Sequence, residues 1–244
     1  MLKKALILAF NIFAGTALLA QEKTSPPLYD NTGGLYVQGG LNLANVSTNS
    51  NGSVNSAKTL ASFNIGLKGD IPLASMLSLQ IGAEFTGKGS RADYNSSLYT
   101  GSYTFRPYYI EVPINLVVKL PIAPHIAVML GGGGYGAAGV AGKYQTDISS
   151  VVGSGSSSQA IKWTNSNDVT TGSANGSGAG VLRRYDFGLN FLAGLEIGPA
   201  QLSFNYGLGL TKLASDADNN DDKDKNRVFS INLAFQLFHF HPNN

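Results

Sequence analysis

Hydrophobicity in this chain alternates with a period of two, and it does so in eight separate stretches. Successive side chains of a β-strand point to opposite faces, so each stretch reads as a strand with one apolar and one polar face. The clearest is 201–212, where Leu202, Phe204, Tyr206, Leu208 and Leu210 oppose Ser203, Asn205, Gly207 and Gly209. Stretch 183–197 sets Tyr185, Phe187, Leu189, Phe191, Leu195 and Ile197 against Arg184, Asp186, Gly188, Asn190, Gly194 and Glu196. Stretch 226–238 sets Phe229, Ile231, Leu233, Phe235 and Leu237 against Ser230, Asn232 and Gln236. Stretch 106–120 has Tyr108, Ile110, Val112, Ile114, Leu116 and Val118 opposite Tyr109, Glu111, Asn115 and Lys119. Stretches 35–46, 61–71 and 76–88 repeat the pattern, and 125–143 carries it into a Gly- and Ala-rich half.

Strands of about 10 residues cross a bilayer at a tilt. The connections alternate in kind: those near 72–75, 121–124 and 198–200 are tight, and those at 47–60, 89–105, 144–182 and 213–225 are long and polar. Short turns at one end and long loops at the other is the pattern of an outer-membrane barrel. The expectation is an all-β fold, an eight-stranded antiparallel up-and-down transmembrane β-barrel over 35–240. A soluble barrel or sandwich also alternates. Against it, the uniformly large aliphatic face contrasts with one of Gly, Ser, Asn and mixed charge, which suits the narrow lumen of eight strands. Composition agrees: charged residues are 13% of the chain, about half the usual share of about 25%. The net charge is +2 with no basic cluster, so nucleic acid is not an expected partner, and with no cysteine thiol chemistry is excluded.

The first residues read as an address. Lys3 and Lys4 precede an apolar run from Ala5 to Ala20, with Leu18 and Ala20 placed for cleavage before Gln21. That is the layout of a secretory signal peptide over 1–20. A lead-in over 21–34 and a tail over 241–244 flank the barrel.

Several strings resemble a known family. Tyr109-Ile110-Glu111-Val112-Pro113 is similar to a strand of the outer-membrane β-barrel domain family of Bacteroidetes, which includes PorT-like outer membrane proteins. Gly131 to Gly139, Arg184-Tyr185-Asp186-Phe187-Gly188, Gly194-Leu195-Glu196, Leu202 to Gly209 and Asn226-Arg227 follow in the family's order. The resemblance implies a barrel of the Gram-negative outer membrane and no particular activity; the PorT-like branch is linked to protein secretion. The end departs from the pattern, since His241-Pro242-Asn243-Asn244 follow Phe240.

Candidate chemistry is sparse. Gly134-Tyr135-Gly136-Ala137-Ala138-Gly139 matches G-x-G-x-x-G, but no helix pattern follows, so no cofactor is expected. The acidic run Asp216 to Asp224 lacks the glycine and the glutamate of a calcium loop and reads as a surface loop. His125, His239 and His241 sit near the short-turn end, away from any serine and acid that would make a hydrolase or a metal site, so no enzyme activity is expected. Charges on the polar face are the sharper feature: Lys68, Asp70, Glu84, Lys88, Glu111, Lys119, Arg184, Asp186 and Glu196 all point to the predicted lumen. Charges in a narrow lumen must pair, which predicts a salt-bridge plug with a structural or gating role. The expected function is a non-enzymatic barrel with a plugged lumen and long external loops, structural or surface-binding. The alternative is a transport or protein-secretion accessory with a small or gated conductance. Expected partners are outer-membrane lipid and lipopolysaccharide, the assembly machinery, and an external ligand or secretion partner. The 144–182 loop, with Trp163, reads as a tether or as a binding loop.

Overall fold

The computed structural model describes residues 31–46, 57–95, 99–150, 153–165, 181–212 and 225–240. The signal segment, most of the lead-in, the acidic run at 216–224 and the tail lie outside the described residues. The strands are β1 (Gly34–Val46), β2 (Ala57–Lys58), β3 (Leu60–Ala74), β4 (Leu77–Gly87), β5 (Ser90–Asn95), β6 (Tyr99–Ala123) and β7 (Ile126–Ser150). They continue with β8 (Gly153–Ala160), β9 (Lys162–Thr164), β10 (Val181–Arg183), β11 (Tyr185–Ile197), β12 (Ala200–Gly209) and β13 (Asn226–His239).

Eight of these strands, β1, β3, β4, β6, β7, β11, β12 and β13, pair antiparallel in chain order, and β13 returns to β1 to close the ring. Closure comes from register: Leu41 of β1 stands opposite Phe63 of β3 on one side and Ile231 of β13 on the other. The eight stretches of alternation therefore correspond to the eight ring strands. Their outward residues stay exposed: Ile65 is 55% exposed, Ile114 49% and Phe187 57%. Their inward residues are buried and mostly polar, among them Asn42, Asp70, Gln80, Lys119 and Gln201. A protein surrounded by water rarely leaves so wide an apolar surface open while burying lysine and aspartate.

The long connections hold more structure than the sequence reading gave them. The stretch expected as a loop at 89–105 contains β5 and the start of β6, and 144–182 contains the end of β7 with β8, β9 and the start of β10. Both β6 and β7 run for 25 residues, so their hairpin stands beyond the ring as an apron, with β5 and β2 on one side and β8 on the other. The pairing of β9 with β10 is parallel, the exception to the antiparallel pattern among the described strands.

A bulge separates ring from apron. Tyr109 pairs with Gly139 and Tyr108 with Ala141, leaving Val140 without an opposite residue. One inserted residue reverses which face each later side chain of β7 takes. Beyond it Tyr144 turns inward with Phe105, their rings 4.7 Å apart, while Lys143 joins Arg106 on the outside.

Candidate functional site

Alternation delivers the lumen charges, and the ring brings eight of the nine together in two clusters. At the short-turn end, the Lys119 ammonium lies 2.9 Å from Asp70 Oδ2 and 2.9 Å from Glu196 Oε2. Side-chain amides complete this cluster. Gln80 donates to Asp70 at 2.9 Å, and Gln201 donates to Glu196 at 2.6 Å and to Asp70 at 3.2 Å. Lys68 donates to Gln201 Oε1 at 2.7 Å and lies over the Tyr36 ring.

At the opposite end, the Lys88 ammonium lies 2.7 Å from Glu111 Oε2 and 3.0 Å from Asp186 Oδ2. Here aromatic rings replace amides. Lys88 sits 4.1 Å from the Tyr135 ring centre and 5.2 Å from that of Tyr109. Tyr135 and Asn226 donate to Asp186 at 3.1 and 2.8 Å. Tyr135 reaches this position across Gly188, where any side chain would run into its ring. Glu84 accepts from Gln38 at 2.8 Å and stands opposite Glu111 in the strand register.

Beside the clusters, Asn42, Asn64, Thr86, Ser230 and Asn232 form an uncharged hydrogen-bonded ladder across β4, β3, β1 and β13. A cavity of about 50 Å³ remains, lined by Lys68, Glu84, Lys88, Glu111 and Asn115. It has room for a few waters, at about 10–15 Å³ each.

Arg184, the ninth expected lumen charge, does not join them. It is exposed in the bend between β10 and β11, one residue beyond the ring strand, and its backbone bonds Thr164 and Gly139 instead. Its parity along the chain is that of Asp186, but the ring has ended before it.

What the sequence reading missed is the roof. Trp163 of β9 folds back over the Lys88 end, its ring 5.4 Å from that of Tyr109 and edge-on to it. A side chain on Gly139 would collide with that indole, so this glycine admits the roof. Ile161 and Leu182 are buried beside it with Val46 and Tyr144. The region is a packed cap at this point, where a loose tether was one expectation. A lone tryptophan in a Ser- and Gly-rich stretch was the one signal available.

Residues 20–215 match the family model of the outer membrane protein beta-barrel domain. Among solved structures, Ail, the attachment invasion locus protein of Yersinia pestis, in complex with the heparin analogue sucrose octasulfate, is 16% identical. The match covers 84% of this chain and 97% of Ail, with a TM-score of 0.32. Neisserial surface protein A is 11% identical over 83% of this chain and 97% of its own, with a TM-score of 0.39. No curated protein matches the chain. At these TM-scores the two likenesses add nothing to the fold, which rests on the strand pairings themselves.

Proposed function

This chain belongs to the outer membrane protein beta-barrel domain family, and from that premise we propose that it is a non-enzymatic transmembrane barrel with a charge-plugged lumen. Its role is structural or surface-binding. The signal segment over 1–20 is cleaved on export, and the long connections face the exterior. The observation that carries this reading is the inversion of the ring, with aliphatic side chains exposed outside and Lys88 and Lys119 each paired with two carboxylates inside. Outer-membrane lipid and lipopolysaccharide surround such a barrel, and the outer-membrane assembly machinery inserts it. An ion path would have to break both clusters, since eight strands enclose little more than their own side chains.

The test is purification in detergent, electrophoresis with and without heating, and conductance in planar bilayers. The expected result is a heat-shifted band and no porin-like conductance. Solubility without detergent would overturn the membrane placement. A second reading, a small gated conductance serving transport or secretion, is favoured by one observation, the cavity beside Lys88 and Glu111. Steady single-channel events in the same bilayers would favour it over the plug.

A further inference from the structure

One face of β6 changes chemistry in an ordered way from the ring to the apron. Its outward residues are first aliphatic, with Ile110 45% and Ile114 49% exposed. Next comes Tyr108, in an aromatic patch with Phe85 at 5.2 Å and Phe63 at 6.1 Å. Two residues further is the exposed Arg106, and beyond it on the same face stand Thr104 and Ser102, both buried between neighbouring side chains, and the exposed Thr100. At a rise of about 3.3 Å per residue, Arg106 stands about 7 Å above Tyr108, and Ser102 about 13 Å above Arg106.

Arg106 is opposite Lys143 in the register, and both are exposed. Like charges at directly opposed positions repel. Neither makes an ion pair among the described residues. An anion seated between them would turn that repulsion into attraction. Above this pair the register lines up Asp93, Ser102, Asp147 and Ser156 in one row across β5, β6, β7 and β8. The row lies in an open cleft of about 520 Å³, where the charged side chains of Lys58, Arg91, Asp93 and Asp147 and the hydroxyls of Thr100, Ser149 and Ser154 alternate with Gly101, Ile148 and Gly155. Hydrogen bonds from Lys58 and Arg91 hold the Asp93 carboxyl below the usual range, and those from Ser156 and Gln145 do the same for Asp147. Both carboxylates therefore stay ionised, and each oxygen has lone pairs beyond the bonds it already accepts.

We propose that this outer face binds the phosphorylated saccharide headgroup of an outer-leaflet glycolipid. Its acyl chains lie along the aliphatic band, a phosphate bridges Arg106 and Lys143, and sugar hydroxyls occupy the cleft around Thr100, Asp147 and Ser149. The proposal rests on the membrane placement above and adds a specific lipid partner to it.

The test uses the full-length mature protein in detergent, with binding followed by native mass spectrometry. The probes are rough-type lipopolysaccharide, its phosphatase-treated form, phosphatidylglycerol and phosphatidylcholine. Lipopolysaccharide is expected to bind most tightly. Dephosphorylation and the Arg106→Gln/Lys143→Gln double variant should each weaken binding about tenfold or more, through loss of charge-assisted hydrogen bonds. Asp147→Asn should weaken lipopolysaccharide binding several-fold and leave phosphatidylglycerol unaffected. Unchanged affinity in the double variant overturns the site. Equal affinity for phosphatidylglycerol overturns the saccharide assignment. The heat-shifted band separates failures: if the wild type lacks it, the membrane placement falls and the proposal with it; if it is present without preferential binding, the proposal alone falls.

Discussion

The two ends of the lumen solve one problem in two ways. Each holds one ammonium between two carboxylates, Lys119 with Asp70 and Glu196, and Lys88 with Glu111 and Asp186. Around Lys119 the remaining valences go to the amides of Gln80 and Gln201, all from ring strands joined by tight turns. Around Lys88 they go to tyrosine rings, to Asn226, and to a roof brought by Trp163 from a distant connection. The cavity touches Lys88 and Glu111 at one end and Lys68 and Gln80 at the other, without reaching Lys119, Asp70 or Glu196. One cluster is thus packed by paired charges and amides from ring strands alone, while the other also has a segment folded over it.

The largest expected effect falls on the Lys119 cluster. Lys119→Met strands two buried carboxylates and should cost about 3–5 kcal/mol, read as a shift in the urea midpoint of the folded band in detergent. Lys88→Met should cost less, because the cavity beside Glu111 has room for water to solvate the stranded carboxylate. Equal losses would break the contrast. Neutralising the partners as well, in Lys119→Met/Asp70→Asn/Glu196→Gln, should recover most of the loss, since the penalty is for unpaired charge and not for the missing bridge.

A smaller effect is expected at the roof. Trp163→Ala removes a half-buried indole and should cost about 1–3 kcal/mol. Its signature is local: amide exchange should quicken near 139–144 and stay unchanged near 126–131. Quickening at both ends would mean that the roof stabilises the whole ring.

The smallest effect lies on the apron. The carboxyls of Asp93 and Asp147 are held below their ordinary value by hydrogen bonds. Their stabilisation is present above the unfolded value of about 3.9 and is lost as pH falls through the lower folded value. Carboxyl chemical shifts should show both groups ionised at pH 5 and titrating only below the ordinary aspartate range. Titration at the ordinary value would show that the Lys58 and Ser156 contacts do not form in solution.

Alternation made the side of each charge legible, because a period of two is written directly into the residues. Partners were not legible. Lys88 meets Asp186 across 98 positions of chain, and only ring closure brings them together. Arg184 shows the limit of parity, which says where a side chain would point if the strand continued but not where the strand ends. The roof was hidden for a different reason. Trp163, Ile161 and Leu182 follow no shared period, and their contact depends on a return of the chain that no local pattern records. Serine and glycine in β8 masked a strand that owes its existence to pairing with β7.

The unpaired Val140 has a consequence beyond local geometry. Below it the molecule is built for oil outside and salt bridges inside; above it, for water outside and aromatic rings inside. One surplus residue shifts the phase of β7 so that a single continuous strand obeys both solvents in turn. Deleting it would turn Tyr144 to the exterior and Lys143 toward the cap, setting each half of the hairpin in the wrong medium.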